Sequence, residues 1–518
     1  MKFPPETARR RRKMVSVVFA GVLLTAGCGG GSDTGGSDNA GGGSLIIAVA
    51  ADPRSLFPNS STAQQEINVS EQITEKLIEY TADGSGFEPR LATEWKQLDP
   101  TTVRLSLRHD VTFTNGEKFN AEGAAKSIEI MRHATAYKSF VSMVSGAKAV
   151  DEYTLDVTSD KPTGLMLNAL AMGSFQYPAK YFDEVGEEKF GTSPIGTGPY
   201  TLAKWTKGVD VTLKANPGYW GDKPKISDVT FKVVPDASAQ VAAIQSGQIG
   251  FMYDVPVGSL DSIKKDSALT VADRPSNRLY SLTLSSVSDT PLKDPAVRRA
   301  LQYGIDVPSI IKNQLGGLGT PLQGQILAPY YVGFDDTIKA TPFDPAKAKQ
   351  LLAEAGYPDG FSVTFKYPSG RYAQDREVGQ AIASQLAAIG VKTNQEVLES
   401  GTFLSQLLDK KLNDMYFGGS LTAPDAHMMY EQYIEGAPYT YYANNPDVNK
   451  LVAEEATTVD QAKRKEIISQ ISKIFVENPP FVPLYQGTDL YAMSKNITGF
   501  TPRASQFLDV RTLASGQS

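Results

Sequence analysis

Apolar positions recur along this chain with two different spacings, and the change from one to the other divides it. Residues 45–50, Leu45-Ile46-Ile47-Ala48-Val49-Ala50, form a continuous apolar run that predicts a strand, followed by the turn-rich Asp52-Pro53-Arg54 and Pro58-Asn59. Helical spacing over 69–80 predicts an amphipathic helix ending near Tyr80. Short strands and turns dominate 90–215. Residues 103–107 alternate, Thr114-Asn115-Gly116-Glu117 signals a hairpin-like turn, 120–131 predicts a capped helix and 153–157 another strand. Gly196-Thr197-Gly198-Pro199-Tyr200 predicts a rigid bend into a different sheet, followed by a strand at 225–234, a helix at 240–246 and a strand at 279–284.

The second half is more helical, with legible ends. Asp294-Pro295 and Asp344-Pro345 each place a capping carboxylate ahead of a proline at the first helical position, and Gly356 stops the second helix. A helix over 375–389 stopped by Gly390, a strand over 391–397 and a long helix over 461–476 complete an alternating α/β pattern. No period matches a solenoid repeat.

The first 44 residues follow neither spacing. Arg9-Arg10-Arg11-Arg12-Lys13 is a positive head, and the apolar run 14–25 is far shorter than the roughly 20 residues that cross a hydrocarbon core. Leu24-Thr25-Ala26-Gly27-Cys28 follows, and Cys28 is the only cysteine in 518 residues. The five residues resemble the bacterial lipoprotein box, which implies that 1–27 is removed and that Cys28 carries a diacylglycerol. The alternatives are a secretory leader with a chance cysteine at the cut, or a buried thiol. Four consecutive arginines also suggest twin-arginine export, although the flanks match that signal poorly. Residues 28–44 hold almost nothing to bury and predict a flexible Gly/Ser tether.

Charge narrows the partners. Without the six basic residues and one acidic residue of 1–27, totals of 51 and 57 leave a net charge of about −11, which argues against nucleic acid and against a cationic patch on anionic lipid. A single cysteine excludes intrachain disulfides and thiol metal clusters.

A series of short motifs, ordered along the chain, then identifies a likeness: Glu88-Pro89-Arg90-Leu91-Ala92 with Trp95; Leu105-Ser106-Leu107-Arg108; Asn115-Gly116; Gly196-Thr197-Gly198-Pro199-Tyr200; Asn216-Pro217-Gly218-Tyr219-Trp220; Asp236 with Gln245-Ser246-Gly247; 294–300; and 347–358. Together they cover essentially all of 45–500, and the chain resembles the extracytoplasmic solute-binding proteins of the peptide, oligopeptide and nickel class, family 5. The resemblance implies an α/β fold of periplasmic-binding-protein type II (cluster C): two lobes joined by crossover strands, with an extra inserted subdomain. On that likeness lobe I spans 45–79, 199–285 and 489–518, the insert 80–198 and lobe II 286–488, with crossovers at 279–284 and 489–493. The implied role is capture of a small solute between the lobes and delivery to ABC permease subunits. The protein is expected to be a monomer with no cofactor, no enzymatic step and no membrane contact beyond its lipid, on the extracytoplasmic face of the cell membrane or in a periplasm.

The same likeness implies cleft segments at 58–62 with Asn59, 172–176 with Ser174 and Phe175, the crossover with Tyr280, 369–372 with Arg371, and 419–433 with Leu421, Thr422, Asp425, Tyr430 and Tyr433. Peptide-binding relatives usually carry in the last segment an aspartate that pairs with the peptide ammonium. Here Thr422 occupies that position and Asp425 matches a second aspartate three residues on. A gap in the match would instead bring Asp425 to the ligand, and a third reading makes Asp425 the N-cap of the helix at 427–430. Tyr430, Tyr433, Tyr439, Tyr441 and Tyr442 suit a cleft that stacks on and hydrogen-bonds to a solute, or else a loop packed on its own lobe. Arg371 presents a planar fork to a carboxylate. Trp220 reads as a core plug rather than a ligand shelf. His109, His133 and His427 are the only histidines and are too scattered for a protein-only nickel or zinc cage, although a chelated metal would need fewer ligands. No nucleophile elbow, zincin helix or phosphate loop is present. An oligopeptide or modified peptide ranks first as solute, then a sugar, opine or other small organic solute; a sensing receptor or chaperone is the remaining alternative.

Overall fold

The computed structural model of the chain describes residues 43–434, 437 and 445–516. Cys28, the leader, all but the last two residues of the tether, and Tyr439, Tyr441 and Tyr442 lie outside the described residues.

The first strand, Gly43–Val49, takes in the last two residues of the expected tether. It lies between Ile226–Val233 and Phe251–Met252, parallel to both. The sheet around it has eleven strands among the described residues. Two long antiparallel strands, Leu269–Leu284 and Phe481–Ser494, run side by side in its middle. On one side of them stand Met415–Leu421, Phe361–Ser369 and Val391–Glu399; on the other stand Phe251–Met252, Gly43–Val49, Ile226–Val233, Asp210–Ala215 and Tyr200–Thr206. A separate four-stranded antiparallel sheet, in the order Ala92–Asp99, Thr102–Leu107, Thr154–Thr158, Gly146–Asp151, is covered by the helix Ala121–His133.

Local sequence accounts for many of these elements. Val103, Leu105 and Leu107 turn inward at the strand period, and the Asn120 side chain accepts from Gly123 N at 2.9 Å to start the helix behind them. Asp294 and Asp344 cap in the same way, accepting from Ala296 N (2.7 Å) and Lys347 N (2.9 Å). The amphipathic helix expected over 69–80 does not form. The helix is Gln64–Ser70, and the chain then extends into the short strand Ile78–Tyr80. Tertiary bonds override the spacing there: the carbonyls of Gln72, Ile73, Glu75 and Leu77 accept from the backbone of Tyr200, Gly198, Gln176 and Ala92.

Glu75 sits at the centre of that junction. Its carboxylate accepts from Thr197 Oγ1 (2.8 Å), Tyr219 OH (2.9 Å) and Trp220 Nε1 (2.8 Å) and pairs with Arg90 at 3.1 Å. Trp220 therefore closes a structural joint, with the Arg108 guanidinium 4.1 Å above its ring. Gly196 and Gly198 serve the same joint through close approach: a Cβ would stand 1.9 Å from Ile73 O at residue 196 and 2.5 Å from Gln72 O at residue 198. We expect Gly196→Ala to cost about 2–3 kcal/mol, read as a fall in thermal midpoint with a single cooperative transition retained.

Candidate functional site

The two central strands, 269–284 and 481–494, are paired throughout except at one place. Their register shifts between Pro275 and Leu279 and again between Leu279 and Ser281. Proline has no N–H to donate, so Pro275 is a natural point for the ladder to lapse. Side chains satisfy the released groups: Gln486 Nε2 donates to Ser276 O at 2.8 Å, the Tyr330 hydroxyl donates to Ser276 O at 3.2 Å, and the Tyr331 hydroxyl donates to Asn277 O at 3.2 Å.

Tyr280 lies just beyond this interruption, wedged between two glycines. A Cβ at residue 419 would come within 2.7 Å of its ring, and one at residue 487 within 3.1 Å. The ring stacks on Tyr485 at 4.6 Å and meets the Tyr372 ring edge-on at 5.3 Å. Two guanidinium groups converge on Tyr372, Arg278 at 5.4 Å and Arg371 at 5.5 Å. The Tyr372 hydroxyl donates to Gly419 O at 3.2 Å and accepts from Arg371 Nε at 3.1 Å. The loop that carries Arg371 and Tyr372 is held by Asp375, whose carboxylate accepts from the backbone of Gly370, Arg371 and Tyr372. Arg278 and Arg371 stay half-buried, and Leu421, the register partner of Arg278, is 41% exposed. The result is an aromatic floor edged by two cations, able to stack on an organic solute and pair with an anionic group.

Of the expected site residues, Tyr280, Arg371 and Leu421 come together here. Thr422 is nearby in sequence, its hydroxyl 3.4 Å from that of Tyr331. The others are placed elsewhere, engaged with protein. Asn59 donates to Gly173 O at 3.1 Å and accepts from Tyr177 OH at 2.6 Å; the Ser174 hydroxyl accepts from Leu77 N at 3.0 Å; and Phe175 is buried in the core of the four-stranded subdomain. Tyr430 bonds Ser472 through its hydroxyl at 2.5 Å, and Tyr433 packs against Phe475 and Phe481. Tyr372 falls inside the expected cleft segment 369–372 without having been singled out, and Arg278 went unread in the sequence. Arg278 stands two residues before Tyr280 on the same strand, so strand alternation was the signal available for it.

Asp425 is the N-cap: its Oδ1 accepts from His427 N at 2.9 Å. Both its oxygens also receive the Arg464 fork, at 2.8 and 2.5 Å, and Asn168 Nδ2 approaches Oδ2 at 3.3 Å. The carboxylate is thus satisfied by protein, which leaves it no free oxygen for a solute ammonium. Arg464 Nε reaches Glu455 at 2.9 Å, and Glu455 in turn bonds His427. Burial pushes the Asp425 carboxyl up, but Arg464 outweighs burial and holds it below the ordinary range. Burial lowers His427, but Glu455, Glu431 and Asp425 more than reverse this and raise it. The other histidines are also engaged, His109 stacked on Tyr153 at 4.0 Å and His133 3.0 Å from Glu129. Among the described residues no group of three or more His, Cys, Asp or Glu side chains converges as a metal site.

Residues 86–441 match the family model described as bacterial extracellular solute-binding proteins, family 5 Middle. The glutathione-binding protein GsiB of Escherichia coli (strain K12) is 27% identical over 418 residues, covering 78% of this chain and 81% of that protein. Among solved structures, CtaP of Listeria monocytogenes superposes with a TM-score of 0.85 at 24% identity, over 92% of this chain and 100% of that one. AgaA of A. tumefacien R10, in complex with agropinic acid, superposes with a TM-score of 0.75 at 26% identity, over 92% and 99%. The chain belongs to the family 5 solute-binding proteins, whose members are extracytoplasmic, bind small solutes for ABC importers and are not enzymes; its fold is their two-lobe type II fold.

Two outcomes follow for the buried charge network. Asp425→Asn leaves Arg464 underpaired and is expected to cost about 3–5 kcal/mol in denaturant unfolding. Because the folded pKa of His427 lies above its ordinary 6.5, its stabilisation is full below pH 6.5 and is lost as pH rises through the folded value. His427→Gln should flatten that part of the stability–pH curve.

Proposed function

We propose that this chain is the lipid-anchored solute-binding component of an ABC importer and that its solute is an oligopeptide or a modified peptide. Capture is by closure of two lobes about the paired crossover strands, with 286–488 as the second lobe and 80–198 as the insert of the first. The closed form then docks on permease subunits, and no bond is made or broken. The anchor is the diacylglycerol on Cys28, with residues 29–42 giving the body reach from the membrane.

The observation that carries the peptide-like reading is the Arg278, Arg371 and Tyr372 face beside Tyr280. Two forked cations on an aromatic floor suit a carboxylate attached to a larger organic body. The sequence relationship to a glutathione-binding protein supports the same solute class. A second reading, a small non-peptide organic acid, is favoured by the likeness to AgaA, which was solved with agropinic acid. The floor chemistry suits either, since both offer carboxylates.

Native mass spectrometry of the mature chain carrying Cys28→Ser, purified from its own host and then denatured to release its cargo, separates the two. Peptide or peptide-like masses are expected; a single non-peptide mass would overturn the first reading in favour of the second. The mass of the wild-type chain taken from the membrane fraction should show loss of residues 1–27 and a diacylglycerol on Cys28, and an unmodified Cys28 would contradict the lipid anchor.

A further inference from the structure

Two carboxylates stand beside this floor and belong to no sequence motif. Asp489 lies in the second crossover strand, with Arg274 as its register partner on the first. Asp254 follows Phe251–Met252, the strand that flanks Asp489 from the other side. Asp489 and Arg274 thus pair across two adjacent strands next to Pro275, where the ladder interruption begins, and Asp254 stands in the bend that follows the short strand on the other side of Asp489.

Protein groups satisfy this cluster only in part. Asp489 is only 8% exposed; its Oδ1 accepts from Gln506 Nε2 at 2.7 Å, but Oδ2 is buried without a donor. Arg274 Nη1 is likewise buried without an acceptor, so the register partners leave each other incompletely satisfied. An unmatched buried oxygen on a charged group costs about 1–3 kcal/mol or more. Asp254 is open to solvent and holds a left-handed backbone at φ 50°, a conformation that is uncommon outside glycine and concentrates at working sites. Burial raises the Asp489 carboxyl, with Ser276, Gln506, Arg274 and Arg278 opposing. A cation placed between the two carboxylates would relieve both.

We infer that Asp254 and Asp489 receive the ammonium group of the solute, while Arg278 and Arg371 take its carboxylate, so that the site selects a zwitterion. This rests on the peptide-like reading given above. It also answers the threonine at 422: the carboxylate absent from that loop is supplied from the crossover strands instead. Two carboxylates with no third acidic, cysteine or histidine ligand among the described residues suit an organic ammonium better than a metal ion.

The test uses four probes on the mature chain carrying Cys28→Ser: tri-alanine, glutathione, and each of these with its α-amine acetylated. Retention is read by native mass spectrometry near neutral pH. The wild-type site should favour at least one free-amine probe over its acetylated form by tenfold or more. Asp489→Asn and Asp254→Asn should reduce that preference to within about twofold while unliganded melting stays cooperative. Equal retention of free and acetylated probes, or a preference unchanged in both folded variants, would overturn the ammonium assignment and leave the peptide-like reading standing. Retention of none of the four overturns the peptide-like reading and the assignment with it. Should a variant fail to fold, the wild-type preference still decides.

Discussion

The antiparallel pairing of residues 269–284 with 481–494, and its lapse around Pro275, is the constraint on which the rest of the structure depends. These two strands are the middle of the sheet, and every strand to either side is held through them. A ladder paired without interruption would be stiff and its edges closed. The shift between Pro275 and Leu279 frees backbone groups that Gln486, Tyr330 and Tyr331 satisfy. Gly419 and Gly487 then let that ring lie against its neighbouring strands, which fixes where Tyr372 and the two arginines gather. The candidate site is in this sense a consequence of one local failure of strand pairing.

Two buried ionic joints hold the flanking parts in place. Glu75 gathers Arg90, Thr197 and the adjacent Tyr219 and Trp220 from three separated segments onto one carboxylate. Asp425 and Arg464 do the equivalent on the other side, where Asn168 reaches Asp425 and Gly164 N donates to Ala456 O at 3.1 Å. Buried pairs of this kind add little net stability over apolar packing but are costly to break singly. Their contribution is to fix one arrangement of segments that lie far apart in sequence.

Elements whose signals are local were legible. Asn120, Asp294 and Asp344 announced their helices, and Val103, Leu105 and Leu107 announced an inward strand face, because capping and alternation act within a few residues. The segment after Ser70 was misread because its carbonyls serve distant partners, which no local spacing reveals. Among the expected site residues, Tyr280 and Arg371 were named through family likeness, and the fold brings them together. Asn59, Ser174 and Phe175 were drawn to the same site by that likeness, yet here their groups are used in packing the subdomain. Arg274 and Asp489 lie on two strands, and Asp254 in the bend after a third, that meet only through the sheet order, so their grouping has no signature along the chain.

The claim that solute is held at the crossover floor is tested most directly by a crystal structure of the mature chain purified with its native cargo. The account predicts solute density in contact with Tyr280, Tyr372 and Arg278, beside the interruption at Pro275. A solute bound instead in the separate cavity of about 240 Å³ lined by Ile305, Pro321, Phe343 and Val482, with the floor left to water, would contradict it.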